Sequence, residues 1–140
     1  MSTGTWDPSS NTSKLDINID PASLADLLKR FLALAENNQL GDLTTQMSEQ
    51  DKSQFAIMQA DLALWQNALS DYSEAQLIAL IQFFTIVEMA LPEWVAGAKS
   101  PVISINKILK SRGHKLDREM LIWIKQNSDN RFIPNGSPLL

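Results

Sequence analysis

The stretch Ser73-Glu74-Ala75-Gln76-Leu77-Ile78-Ala79-Leu80-Ile81-Gln82-Phe83-Phe84-Thr85-Ile86-Val87-Glu88-Met89-Ala90-Leu91-Pro92 decides the fold. Its start is marked twice. Ser73 and Gln76 have the spacing of a capping box, in which each side chain accepts from a backbone N–H that the first helical turn leaves free, and Tyr72 and Leu77 can close around it as a hydrophobic staple. From Ala75 to Leu91 the residues are apolar almost all round, and a helix without a polar face has to be covered on most sides. Gln76, Gln82, Thr85 and Glu88 interrupt it, and it falls short of the roughly 20 apolar residues that a membrane span requires. It therefore reads as the central helix of a bundle, over 74–91. Pro92 stops it, because the residue before a proline is pushed out of helical geometry.

Helices on either side must supply the cover. On the amino-terminal side, Asp20 can cap and Pro21 suits a first helical position, with Ile19 placed to staple onto Leu24. Leu24, Leu27, Leu28, Phe31 and Leu32 then fall on one face, which predicts a helix over 21–37. Ser48 and Asp51 resemble another cap, and Phe55, Met58, Leu62, Trp65 and Leu69 recur at alternating steps of three and four, predicting a second helix over 49–69. Beyond Pro92, Glu93 to Lys99 read as a loop. Ser100 and Pro101 open a helix over 101–112 with Val102, Ile105, Ile108 and Leu109 inward, and Gly113 is its natural left-handed terminator. Asp117 caps a last helix over 118–127, stapled by Leu116 on Leu121.

The two ends lack such signals. Residues 1–14 are rich in Ser, Thr, Asn, Gly and Pro, with Trp6 alone among them, and Leu15, Ile17 and Ile19 alternate with polar residues, so 1–19 is expected to be a flexible or extended arm. Residues 128–140 hold Pro134, Pro138 and the pair Asn135-Gly136, which predicts an irregular tail that Phe132 and Ile133 could pin to the core. The expected fold class is thus all-α: a single domain over 20–140, a bundle of about five helices.

The chain has no cysteine, which removes disulfides, thiolate metal sites and cysteine nucleophiles, and a single histidine, His114, set in a turn between Gly113 and Lys115. Helical zinc motifs need two histidines, so no metal or cofactor is expected. The first eight residues lack the basic start and apolar run of a secretory signal, so the expectation is a cytoplasmic protein with no membrane partner. Ala96-Gly97-Ala98-Lys99-Ser100 has the outline of a phosphate-binding loop, but Ala98 stands where a glycine is required and no strand leads into it.

Charge separates along the chain. The formal net charge is −4, yet residues 1–96 hold 13 acidic and 4 basic side chains while residues 97–140 hold 3 acidic and 8 basic. Those eight, Lys99, Lys107, Lys110, Arg112, Lys115, Arg118, Lys125 and Arg131, either form an outward-facing basic surface or lie against the chain's own acidic half. The expected function is a non-catalytic interaction or regulatory module: the basic residues orient an acidic protein partner or a second copy of the chain, and Trp94, Trp123 and Phe132 serve as apolar anchors. The alternative is a nucleic-acid binder of helix-turn-helix type using residues 101–127, although Met120-Leu121-Ile122-Trp123-Ile124 leaves few polar side chains to read base edges. The third reading is a small-molecule enzyme built on Glu88, whose burial in the central helix would raise its pKa.

Overall fold

A computed structural model describes residues 20–136, and all regular structure among them is helical. The α-helices are α1 (Pro21–Glu36), α2 (Leu43–Gln46), α3 (Glu49–Lys52), α4 (Leu62–Ala68), α5 (Glu74–Ala90), α6 (Pro101–Ser111) and α7 (Arg118–Asn127). Short 3-10 turns fill several of the connections. The expected arm at 1–19, with Trp6 and the Ile19 staple, lies outside the described residues, as does 137–140.

The central position of α5 follows from its composition. Leu77, Leu80, Ile81, Phe83, Phe84 and Val87 are completely buried. α1 and α6 make the most extensive contacts with it, α7 and α2 also pack against it, and α4, lying against α6, reaches it through Trp65 and Phe84. Both halves of the capping box are formed: Ser73 Oγ accepts from Gln76 N–H at 3.1 Å, and Gln76 Oε1 accepts from Ser73 N–H at 2.9 Å. The middle of the core is aromatic. Phe31 of α1 stacks on Phe83 of α5 with centroids 4.1 Å apart, Phe84 and Trp94 meet Phe31 edge-on, and Trp65 of α4 closes on Phe84. Offset and edge-on contacts of this kind add to the burial energy of the rings themselves.

The caps read from the sequence are made. Asp20, Ser100 and Asp117 accept from the backbone N–H groups of Ser23, Val102 and Met120. Gly113 holds a φ of +78° at the end of α6, where the N–H of His114 returns to the carbonyl of Leu109. An L side chain is strained in that region, which is why a glycine ends the helix there.

The continuous helix expected over 49–69 is not formed. α3 stops at Lys52, a 3-10 turn runs over Phe55–Gln59, and α4 restarts at Leu62 under its own cap, with Asp61 accepting from Leu64 N–H at 3.0 Å. Breaking the helix rotates the apolar residues independently. Ile57 and Met58 reach the core while Phe55, expected on the inner seam, is exposed. The break also leaves the Lys52 carbonyl at a helix end, where the indole N–H of Trp94 donates to it at 3.0 Å.

Candidate functional site

Eight cations and three apolar anchors were expected on one surface, and the fold distributes them over separate places. Trp94 is completely buried, so it is a core residue and not an anchor for a partner. The loop that carries it folds inward because its indole finds both an aromatic cage and a hydrogen-bond acceptor. Trp123 and Phe132 are half-buried against the core.

Arg112 is exposed, yet its side chain is committed to the chain itself. Its guanidinium donates to the carbonyls of Leu69, Ser70 and Tyr72 and to the Glu74 carboxylate, clamping the link between α4 and α5. Among the described residues the ion pairs are Arg30–Asp51, Lys52–Glu49 and Arg112–Glu74, so only Arg112 joins the basic half to the acidic one. Lys99, Lys107, Lys115, Arg118 and Arg131 are exposed and take no part in those pairs.

Three of the remaining cations converge. On the outer side of α7, Arg118, Leu121, Ile122, Lys125, Pro134 and Asn135 line a groove of about 330 Å³. Helical geometry explains the line: Arg118, Ile122 and Lys125 are four and three residues apart, hence on one face. Ile122 is 44% exposed, with a cation one turn away on either side. The opposite wall is the stretch after α7, which is held down by Asn106 Nδ2 donating to the Pro134 carbonyl at 3.0 Å and by complete burial of Ile133. Asn135 Oδ1 accepts from Lys110 Nζ at 3.3 Å, which brings a third cation to the same rim. The sequence run Met120 to Ile124 required some apolar group to face outward; that it is Ile122 depends on how α7 is rotated against α5.

Glu88 forms a second junction. The residue is 4% exposed, and its carboxylate pairs with neither Lys99 nor Arg112, the partners its place near a helix end suggests. Instead Ser100 Oγ donates to Oε2 at 2.5 Å, and Ala96 N–H and Asn130 Nδ2 donate to Oε1 at 3.2 and 3.1 Å. One side chain of α5 thereby ties down both the loop into α6 and the segment after α7. These partners lie up to 42 residues away along the chain and left no local signal. Burial pushes the Glu88 carboxyl above its ordinary value of 4.5, against the opposing pull of Ser100, Ala96, Asn130 and Gly97. Since the folded state binds this proton more tightly than the unfolded state, the carboxyl's contribution to stability is full below the unfolded-state value and is lost as pH rises through the raised folded one. Glu88→Gln cannot ionise. Its melting temperature relative to the unsubstituted protein is expected to climb from acid to neutral pH, and a flat difference between the two melting curves would remove the burial penalty.

Among the described residues no group of three or more His, Cys, Asp or Glu is placed to hold a metal ion, and no helix is long and apolar enough to cross a membrane. No family model, curated protein or solved structure matches the chain.

Proposed function

We propose that the protein is a non-catalytic docking module whose α7 groove takes a short acidic segment of a partner protein, with one branched or aromatic side chain of that segment seated on Ile122. The observation that supports it is an exposed isoleucine lying in an apolar groove between Arg118 and Lys125, with Lys110 at the rim. Charge complementarity selects the partner. Among the described residues the groove wall carries cations and no carboxylate, so acidic flanks on the partner gain at both ends while a basic segment is repelled. Covering Ile122 from its half-exposed state contributes roughly 1 kcal/mol, and two rim charge pairs contribute less than about 1 kcal/mol each, which together describe a weak and readily exchanged contact.

The test uses synthetic acidic peptides, each with one leucine or phenylalanine anchor, measured by fluorescence polarisation against the purified protein, with duplex DNA measured in parallel. Acidic anchored peptides are expected to bind, and their basic counterparts to fail. Ile122→Glu is expected to weaken binding roughly tenfold or more while changing stability by less than about 0.5 kcal/mol, since the side chain is exposed. Neutralising Arg118 and Lys125 to glutamine should remove most of the salt dependence of what binding remains, and reversing their charge should invert it. Steeply salt-dependent retention of DNA that disappears on neutralising Lys110, with no peptide bound, would replace this reading by the nucleic-acid one.

A further inference from the structure

A second groove, on a different part of the surface from the α7 docking site, is lined by apolar groups around an acidic floor. Met89, Pro92, Val95 and Phe132 line it together with Glu88 and Asn130, and it encloses about 540 Å³. Met89 and Val95 are 49% and 61% exposed, so two large apolar side chains face solvent at its mouth. Concave, mostly apolar sites of this volume with a few fixed polar groups are the usual setting for small-molecule binding.

The charge of the groove is unbalanced in one direction. Two carboxylates, Glu88 and Asp129, and one cation, Arg131, stand in its wall. Among the described residues Glu88 has no ion-pair partner, although it is nearly enclosed. A carboxylate offers about four acceptor positions. Ala96 and Asn130 use two of them on Oε1, Ser100 uses one on Oε2, and the Gly97 N–H also acts on the carboxylate, so every donor it meets within the fold is neutral. Neutral donors satisfy hydrogen bonding but leave the charge itself uncompensated, and a buried charge without a counter-ion is costly. The upward push on its pKa by burial expresses the same cost. A positive group brought to this carboxylate by an apolar body would supply what the protein's own side chains do not.

From this geometry we infer that the Glu88 groove binds a small organic ammonium with an apolar tail, its cation at the Glu88 carboxylate and its tail between Met89, Val95 and Phe132. The pairing is stronger than a surface contact because it forms where water is largely excluded. Arg131 is exposed and competes only weakly, held at the rim by its own solvation. The site is independent of α7, and failure at one leaves the other standing.

The probe is 4-phenylbutylammonium, compared with the neutral 4-phenylbutanol and the anionic 4-phenylbutyrate, in titrations followed by amide chemical shifts of Met89, Val95 and Phe132. The ammonium is expected to bind roughly tenfold or more tightly than the alcohol, and the carboxylate not at all. Glu88→Gln keeps an oxygen for the N–H groups of Ala96 and Asn130 and can turn its amide towards Ser100 Oγ, so the fold is retained. In it the ammonium and the alcohol are expected to bind alike. Arg131→Gln should strengthen ammonium binding by removing the competing cation. Equal binding of ammonium and alcohol to the unsubstituted protein would overturn the inference, since it needs no variant to fold and would reduce the site to an apolar groove. Retention of the ammonium preference in Glu88→Gln would overturn it too, by assigning the charge to Asp129, as would the absence of any shift.

Discussion

Trp94→Ala is expected to destabilise the protein by about 3–5 kcal/mol, a large share of the total stability of a domain of this size. The indole is completely buried, meets Phe31 edge-on with centroids 5.8 Å apart, and donates to the Lys52 carbonyl at 3.0 Å. Truncation removes three things together: the burial of a large ring, an aromatic contact, and the link between the loop after α5 and the end of α3. Residual cavity adds to the loss, because α1 and α5 are held by the Phe31–Phe83 stack and cannot collapse onto the space. Trp94→Phe separates the contributions. It keeps an aromatic ring but leaves the Lys52 carbonyl without its donor, a loss of about 1–2 kcal/mol. Urea denaturation checks both: the midpoint should fall in that order with the slope nearly unchanged, the sign that stability has changed and not the denatured state. Binding of acidic peptides should be the same in Trp94→Phe as in the unsubstituted protein. A loss of affinity with normal stability would return Trp94 to the surface.

Trp94 also shows where the sequence could be read and where it could not. Caps are local, and their donors and acceptors lie within three residues, so Asp20, Ser73, Ser100 and Asp117 declared the starts of α1, α5, α6 and α7 correctly. The near-uniform apolar character of α5 likewise carried its central position, since no solvent-facing arrangement could accommodate it. Steps of three and four between Phe55 and Leu69 were ambiguous, because two short helices with a turn between them can satisfy the same spacing. Asp61 directly before an apolar run was a second cap in plain view, and it decides the break. The direction of Trp94 could not be read at all: a tryptophan after a helix-ending proline is equally compatible with a surface anchor and a core plug, and the choice depends on a carbonyl 42 residues away. The same holds for Glu88, whose three donors come from two distant loops, and for Ile122, singled out from its apolar neighbours only by the rotation of α7.

Arg112→Met is expected to cost about 2 kcal/mol of stability and to leave acidic-peptide binding unchanged, the reverse of what charge counting along the sequence suggests for this residue. Its guanidinium reaches four acceptors on the link from α4 to α5: the carbonyls of Leu69, Ser70 and Tyr72 and, at 3.2 Å, the Glu74 carboxylate. Methionine preserves much of the aliphatic stem and its packing, so the loss isolates the fork of donors. Three of the four acceptors are neutral. The destabilisation should therefore persist in high salt, whereas a surface ion pair would be screened away. Arg112→Lys is expected to recover less than half of it, because a single ammonium on a flexible stem cannot span carbonyls that a planar guanidinium addresses together. Arg118 and Lys125, which lie in the α7 groove and outside those ion pairs, should behave in the opposite way: neutralising them lowers peptide affinity and leaves the urea midpoint nearly in place. Measuring both properties on the three substitutions divides the basic half into a cation that holds the bundle together and cations that face a partner. If Arg112→Met folds as stably as the unsubstituted protein and loses the peptide, that division fails and Arg112 belongs to the docking surface.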